Sequence, residues 1–185
     1  MTQFFNTLSG KLEEFKPLRE GEVKMYTCGP TVYDFAHIGN FRAFVFEDLL
    51  RRFLEFTGFN VKHVMNVTDV DDKTIAGAKR DVGAPLVGAL KGQAQGQPLQ
   101  RLNRFTEKYI HAFREDLKTL NILPANYPAD DPRATEEIPA MLDLIAKLVK
   151  RETAYVSDGS VYYRVSAFPD YGKLSKKDLK QNITG

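Results

Sequence analysis

The chain has 185 residues, of which 43% are hydrophobic and 27% charged, and its net charge is +2 at pH 7. Such values are typical of a globular protein with a buried core, and so small a charge does not by itself indicate a nucleic-acid partner. One cysteine excludes an internal disulfide framework, and the sequence shows neither a secretory signal nor an apolar run near the ~20 residues of a membrane span. We therefore expect a cytoplasmic protein that does not interact with membranes.

The first predicted strand covers residues 23–28, which are rich in strand-favouring side chains and are followed by Gly29 and Pro30. After a polar loop, apolar residues recur at helical spacing and predict a helix that begins near His37. The apolar positions of this helix are Phe41, Phe44, Val45, Leu49, Phe53 and Phe56.

The order of strand, loop and helix start predicts a phosphate-binding site. The first turn of a helix presents free backbone N–H groups and the positive end of the helix dipole. Gly39 lets a flat ring or a phosphate approach the backbone there, and His37 can donate a hydrogen bond to a phosphate oxygen. A simpler alternative is that His37 only hydrogen-bonds the backbone of the loop.

A second strand is predicted at residues 61–67, after a turn at 58–60. Because the intervening helix is long enough for a parallel crossover, we predict an α/β fold with a Rossmann-like parallel sheet and flanking helices. Ligands of such sheets bind outside the carboxyl ends of the strands, which places Cys28 and Thr68 on the same rim.

Carboxylates occupy positions 69, 71 and 72, where a further helix is predicted to begin and to run toward Lys79. They could bind a metal ion, but acidic residues at a helix start more often cap the helix and offset its dipole. We predict this capping role for Asp71 and Asp72.

Residues 81–97 contain recurring glycines and predict a mobile loop. Pro98 is predicted to start a long helix with one apolar face, made of Leu102, Phe105, Tyr109, Phe113, Leu117 and Leu120. Prolines then mark a linker, with a helix start at Asp131 and Pro132. The apolar face of that next helix carries Ile138, Met141, Leu142, Ile145, Leu148 and Val149. Residues 154–165 predict a β-hairpin that turns at Asp158 and Gly159.

The motif Cys-Gly-Pro-Thr-Val-Tyr-Asp at 28–34, followed by His-Ile-Gly-Asn at 37–40, resembles the first signature of the cysteinyl-tRNA synthetases, which are class I aminoacyl-tRNA synthetases. Further matching segments lie at 66–73, 120–122, 132–136, 154–162 and 171–175. The resemblance therefore runs from residue 5 to the end of the chain, interrupted mainly between 81 and 97.

The resemblance implies a ligase that joins L-cysteine to ATP, with Mg²⁺, releases pyrophosphate and transfers the cysteinyl group to the 3′ end of tRNA(Cys). It also implies that Cys28 is a ligand of one Zn²⁺ per intact enzyme, which would recognise the substrate thiol because the metal prefers sulfur to the oxygen of serine. The family's other ligands, a Cys, a His and a Glu, are not on this chain, so we expect little or no bound metal here. Considered without the family, a lone cysteine at a strand end is more often a small buried apolar residue.

The resemblance further implies which residues contact the substrates. The ATP contacts would come from Pro30, Thr31, His37, Gly39 and Asn40. Of these, His37 and Asn40 would be catalytic, because they would stabilise the α-phosphate in the transition state. Class I enzymes more often have His where this chain has Asn40, which keeps a hydrogen-bond donor but carries no charge. Gly29 and Thr68 would contact cysteine.

In the family, residues 1–120 would form the first half of a nucleotide-binding catalytic domain, and residues 121–185 would begin an inserted, here incomplete, α+β connective domain. The chain would then be an amino-terminal part of a monomeric enzyme and inactive alone. Two alternatives are a cysteine ligase that acts on an amino sugar and a non-catalytic synthetase paralogue. A small nucleotidyltransferase would share only the His-x-Gly turn.

Two other features are interpreted as structural. Residues 173–177 superficially resemble the Lys-Met-Ser-Lys-Ser loop of class I enzymes, but they follow a hairpin, so we interpret these lysines as a solvated face. The tyrosines at 155, 162 and 163 could stack on bases, but alternating aromatic residues in a hairpin more often pack across the strands.

Overall fold

The computed structural model describes residues 2–82, 96–128 and 131–176. The chain divides into two compact units, Leu18–Ile138 and the pair of segments Met1–Pro17 and Pro139–Gly185. In chain order the elements are β1 (Gln3–Asn6), β2 (Lys11–Glu14), β3 (Glu22–Thr27), α1 (Ile38–Phe56), β4 (Asn60–Met65), α2 (Asp72–Val82), α3 (Gly96–Thr119), α4 (Ile138–Lys150), β5 (Ala154–Ser157) and β6 (Ser160–Tyr163). The domain boundary expected at residue 121 stays a prediction.

The unit Leu18–Ile138 is built around the predicted strand, helix and strand. β3 pairs in parallel with β4, from Glu22 opposite Asn60 to Thr27 opposite Met65. Helix α1 connects the two strands, as expected of a parallel pair. The α/β interpretation is therefore confirmed for this pair, and a larger Rossmann-like sheet stays a prediction.

Within this unit, helix α3 packs against the other elements through two clusters of apolar side chains. Its first half joins a cluster of Val32, Val67, Ala78, Leu102, Phe105, Tyr109 and Ile110. Its second half joins a cluster of Phe41, Phe44, Met65, Phe113, Leu117 and Ile122. The predicted apolar face is thus confirmed for five of its residues, but Leu120 is 45% exposed because α3 ends at Thr119.

Helix α1 buries only part of its apolar face among the described residues. Phe41 and Phe44 are buried, and their rings contact Phe113 on α3. The other four apolar positions predicted from the spacing, Val45, Leu49, Phe53 and Phe56, are between 42% and 90% exposed. Periodicity identifies an apolar face, but it does not show which neighbouring element covers it.

The helix start predicted at Asp131 and Pro132 is wrong. The Pro132 carbonyl accepts a hydrogen bond from the Val67 backbone N–H at 2.9 Å, and the Ala134 N–H donates to the Val67 carbonyl at 3.0 Å. This segment therefore lies alongside the chain that leaves β4, and α4 begins only at Ile138. Of the loop predicted at 81–97, the ends belong to α2 and α3, and residues 83–95 lie outside the described part of the chain.

The second unit contains two antiparallel hairpins. β1 pairs with β2, which the sequence analysis did not predict, and β5 pairs with β6, which it did. Asp158 and Gly159 have positive φ angles of 50° and 78°, as a tight hairpin turn requires. Tyr155 lies opposite Tyr162 with ring centroids 5.7 Å apart, which supports cross-strand packing.

Among the described residues, four positions of the predicted face of α4 remain exposed by 37% to 59%: Ile138, Met141, Leu142 and Ile145. Within the described ranges, no helix has both the length and the apolar character needed to cross a membrane.

Candidate active site at the carboxyl ends of β3 and β4

His37 and Asn40 form a reciprocal cap at the start of α1. His37 is the N-cap residue, and its Nδ1 atom accepts a hydrogen bond from the Gly39 backbone N–H at 3.1 Å. The Asn40 Oδ1 atom accepts one from the His37 backbone N–H at 3.0 Å. The simpler backbone-bonding role considered for His37 is therefore present in the structure. It does not exclude ligand binding, because each side chain retains a donor.

The cap fixes which atoms can donate. With Nδ1 acting as an acceptor, a neutral His37 imidazole carries its proton on Nε2. With Oδ1 engaged, the side-chain donor of Asn40 is its Nδ2 amide group. Both residues are exposed. The start of α1 therefore offers two neutral donors beside the positive end of the helix dipole.

Cys28 and His37 line one cavity of about 460 Å³. The loop from residue 28 to residue 37 forms much of its wall, with Gly39 and Asn40 at the start of α1 and Lys73, Tyr109 and Phe113 from α2 and α3. All five residues assigned to ATP contacts line this cavity, and so do Gly29 and Cys28. Thr68 is not among the described residues that line it.

Thr68 instead holds the loop of the cavity through its backbone. Its N–H donates to the Pro30 carbonyl at 3.0 Å, and its carbonyl accepts from the Val32 N–H at 3.1 Å. The Thr68 hydroxyl accepts a hydrogen bond from Asn66 at 3.0 Å. The chain leaving β4 therefore lies directly beside the loop that follows β3, so the two strand ends meet at one edge.

Lys73 also lines the cavity and brings a positive charge to it. The sequence analysis did not predict Lys73 as a site residue. Its Nζ atom lies 4.9 Å from the centroid of the Tyr33 ring, which also lines the cavity. None of the ion pairs formed by the described residues involves Lys73. In the first turn of α2, a lysine lies at the unfavourable positive end of the helix dipole. An anionic ligand would offset that charge. The only signal in the sequence was its place at the end of the motif at 66–73.

Of the three carboxylates at positions 69, 71 and 72, Asp69 and Asp71 form hydrogen bonds that hold the fold. Asp71 caps α2, because its Oδ1 atom accepts from the Thr74 N–H at 2.7 Å and its own N–H donates to the Thr74 hydroxyl at 2.7 Å. The predicted capping by Asp71 is confirmed, and Asp72 lies in the first turn of α2. Asp69 is 1% exposed and accepts two hydrogen bonds from Thr135, at 2.9 and 2.5 Å.

Next to Cys28 in the sequence, Thr27 on β3 lies near two further polar residues, His63 on β4 and Glu47 on α1, of which His63 is buried and Glu47 half-buried. The Thr27 hydroxyl lies 2.9 Å from the Nε2 atom of His63. The Oε2 atom of Glu47 is buried and has no hydrogen-bond partner among the described residues. Burial lowers the pKa of His63, with the nearby Arg51 guanidinium as the next cause. Burial raises the pKa of Glu47, and the nearby Thr27 hydroxyl offsets this only in part. Both shifts favour the neutral forms.

The described residues do not fit a complete zinc site. Cys28 is exposed, and its Sγ atom lies 3.8 Å from the Gly29 carbonyl oxygen. Across residues 2–82, 96–128 and 131–176, no three His, Cys, Asp or Glu side chains are grouped so as to hold a metal ion. Zn²⁺ is usually held by four ligands, so Cys28 by itself supplies too few.

Comparisons with known proteins identify relatives for nearly the whole chain. The family described as "tRNA synthetases class I (C) catalytic domain" matches residues 14–184. A protein named Cysteine--tRNA ligase from Brachyspira hyodysenteriae is 47% identical over 98% of this chain and 34% of its own length. Proteins of the same name from Koribacter versatilis and Methanosarcina mazei are 49% and 48% identical, over 96% and 97% of this chain and 32% and 34% of their own lengths. The chain therefore spans about a third of the curated relatives it matches.

Proposed function

Because this chain belongs to the family of class I (C) tRNA synthetase catalytic domains, we propose that it is the amino-terminal third of a cysteine–tRNA ligase. The complete enzyme would activate L-cysteine with ATP, release pyrophosphate and transfer the cysteinyl group to the 3′ end of tRNA(Cys). The observation that carries this proposal is that Cys28 and His37 line the same cavity. One end of that cavity would then receive the amino acid and the other the nucleotide.

At the nucleotide end, three donors would hold the phosphates of ATP. His37 offers its Nε2–H and Asn40 its Nδ2 group, and Lys73 brings a full positive charge. Negative charge moves onto the α-phosphate oxygens when the cysteine carboxylate attacks, and fixed donors aimed at those oxygens lower the barrier. Pro30, Thr31 and Gly39 would form the adjoining wall, where Gly39 leaves the backbone open to the ligand. Mg²⁺ would accompany ATP as part of the substrate.

At the amino-acid end, Gly29 would contact cysteine and Cys28 would be one ligand of a zinc ion completed by residues outside this chain. Thiolate ligands suit Zn²⁺, and a bound zinc ion would favour a substrate thiol over the hydroxyl of serine. Thr68 would act beside this end, through the loop that its backbone holds. We expect the chain alone to bind little zinc and not to charge tRNA.

The proposal further assigns tRNA(Cys), cysteine and ATP as partners, a monomeric complete enzyme and a cytoplasmic location. The class and the names of the relatives support the three partners. The monomeric state and the cytoplasmic location rest on the sequence analysis alone.

The test is an aminoacylation assay with the complete polypeptide, using radiolabelled cysteine, ATP and a tRNA(Cys) transcript. The proposal predicts ATP-dependent labelling of the tRNA and none by the 185-residue chain alone. An amino sugar offered as the acceptor in a parallel reaction should remain unlabelled. Labelling of the sugar and not the tRNA would identify a different cysteine ligase, and no activation of cysteine at all would favour a non-catalytic paralogue.

A further inference from the structure

Asn66 connects the two strand ends that border the cavity. It follows β4 directly, and its Oδ1 atom accepts hydrogen bonds from the Tyr26 hydroxyl at 2.9 Å and the Gly29 backbone N–H at 3.2 Å. Its Nδ2 group donates to the Thr68 hydroxyl at 3.0 Å. One half-buried amide thus joins the end of β3, the turn after it and the chain leaving β4.

The turn at Cys28 and Gly29 is packed tightly on residue 66. A Cβ atom placed on Gly29 would lie 1.7 Å from the Asn66 backbone oxygen and 2.8 Å from the Met65 side chain. Both distances are far below van der Waals contact, so this turn can lie here only with glycine at position 29. The backbone of Asn66 therefore sets how closely the turn approaches, and its side chain binds the turn's N–H.

Among the described residues, backbone hydrogen bonds hold Pro30 and Val32 of this loop, and none involves the Gly29 N–H. Thr68 pairs with Pro30 and Val32 through main-chain atoms only. Among the hydrogen bonds recorded for the described residues, the side chain of Asn66 is the group that reaches the Gly29 N–H. Loss of that side chain would leave the loop pinned at residue 30 and free at residue 29, directly beside the Cys28 thiol.

We propose that Asn66 is a positioning residue that fixes the Cys28–Gly29 turn and thereby the cysteine-binding end of the cavity. The predicted effect on cysteine binding rests on the proposed function. The predicted effect on the turn rests only on the hydrogen bond from the Gly29 N–H to Asn66. Asn66 acts through the turn and does not line the cavity.

Asn126 is a matched control. Its Oδ1 atom accepts from the His63 N–H at 2.7 Å and its Nδ2 group donates to the Val61 carbonyl at 3.0 Å. It thus fastens a loop to β4 with the same side-chain chemistry, but away from the turn. A general loss of stability from removing an asparagine that hydrogen-bonds beside β4 should therefore appear in Asn126→Ala as well.

The experiment has two readouts. In the 185-residue chain, amide hydrogen exchange of Gly29 should be about tenfold faster in Asn66→Ala and within about twofold of wild type in Asn126→Ala, as expected for loss of one hydrogen bond. In the complete polypeptide, cysteine-dependent ATP–pyrophosphate exchange should show the KM for cysteine raised about tenfold by Asn66→Ala, with the KM for ATP within about twofold.

Asn66→Asp keeps both acceptor contacts and loses only the donation to Thr68, so Gly29 should stay protected. If Asn66→Ala does not fold, protection of Gly29 in both wild type and Asn66→Asp supports the proposal, and a fast-exchanging Gly29 in either overturns it. An Asn66→Ala variant that raises the KM for cysteine and the KM for ATP equally also overturns the proposal. So do equal effects of Asn66→Ala and Asn126→Ala on Gly29 exchange. A wild-type enzyme that does not activate cysteine would instead refute the proposed function, and Gly29 exchange would still decide the positioning role.

Discussion

The carboxylate of Asp69 accepts two hydrogen bonds from Thr135, one from its backbone N–H at 2.9 Å and one from its hydroxyl at 2.5 Å. Because Asp69 is 1% exposed, water cannot replace these bonds. The pair therefore holds the segment around residue 135 against the chain that leaves β4.

Asp69→Ala should lower the free energy of unfolding by about 1–3 kcal/mol, since it leaves two donors of Thr135 without an acceptor. Urea denaturation of the 185-residue chain would measure this. Asp72→Ala is the control, because Asp72 is exposed and its loss removes only a helix-dipole contribution of about 0.3–1 kcal/mol. Equal destabilisation by the two variants would show that the contact with Thr135 contributes nothing specific.

His37 has a capping role and a proposed catalytic role, and two variants separate them. Asparagine is a good N-cap, so His37→Asn should keep the stability of the chain within about 0.5 kcal/mol, whereas His37→Ala should cost about 1 kcal/mol. Both should slow cysteine activation by the complete polypeptide about 10²-fold, since both lose the Nε2 donor. Wild-type activation by His37→Asn would reduce His37 to a helix cap.

Lys73 is proposed to bind a phosphate of ATP. Lys73→Met should raise the KM for ATP about tenfold, the size expected for one charged hydrogen bond, and Lys73→Arg should restore most of the loss. Lys79→Met is the matched control, because Lys79 is exposed on the last turns of the same helix and does not line the cavity. If Lys73→Met and wild type have similar KM values for ATP, Lys73 does not bind ATP.

The raised pKa of Glu47 predicts a pH-dependent effect on stability. Above the unfolded-state value of 4.5 the unfolded chain releases this proton before the folded chain does, so the folded state loses stability as the pH rises. Glu47→Gln removes this loss and keeps an acceptor near the Thr27 hydroxyl. The variant should therefore be more stable than wild type at pH 7, by a margin that shrinks toward pH 4.5.

Urea denaturation at several pH values would show this trend. Glu20→Gln, at an exposed position, should show no such dependence. A Glu47→Gln variant that is less stable than wild type at pH 7 would mean that the charged carboxylate stabilises the fold.

Features determined by neighbours in sequence could be predicted from the sequence. Local periodicity predicts the strand–helix–strand unit of β3, α1 and β4, and it also predicts the apolar face of α3. Turn chemistry predicts the turn at Asp158 and Gly159. The clustering of residues 28–37, Gly39 and Asn40 around one cavity also followed, because a strand end and a helix start border the same loop.

Features that depend on distant partners could not be predicted in this way. Asp69 and Thr135 are 66 positions apart, and nothing local to Asp69 distinguishes it from the capping carboxylate Asp71. The false helix start at Asp131 has the same origin, since Pro132 and Ala134 hydrogen-bond the backbone of Val67 across a distance of 65 or more positions. The sequence shows Asn66 only as a polar residue after a strand. Its hydrogen bond with the Gly29 N–H is seen only in the structure.

The central claim, that the thiol of Cys28 serves the amino acid in a cavity where His37 serves the nucleotide, is tested most directly by Cys28→Ser in the complete polypeptide. The measurement is ATP–pyrophosphate exchange with cysteine and, separately, with serine. We predict that kcat/KM for cysteine falls about tenfold or more relative to serine, while the KM for ATP stays within about twofold of wild type. Unchanged discrimination between cysteine and serine, or an equal loss of affinity for ATP, would contradict the claim.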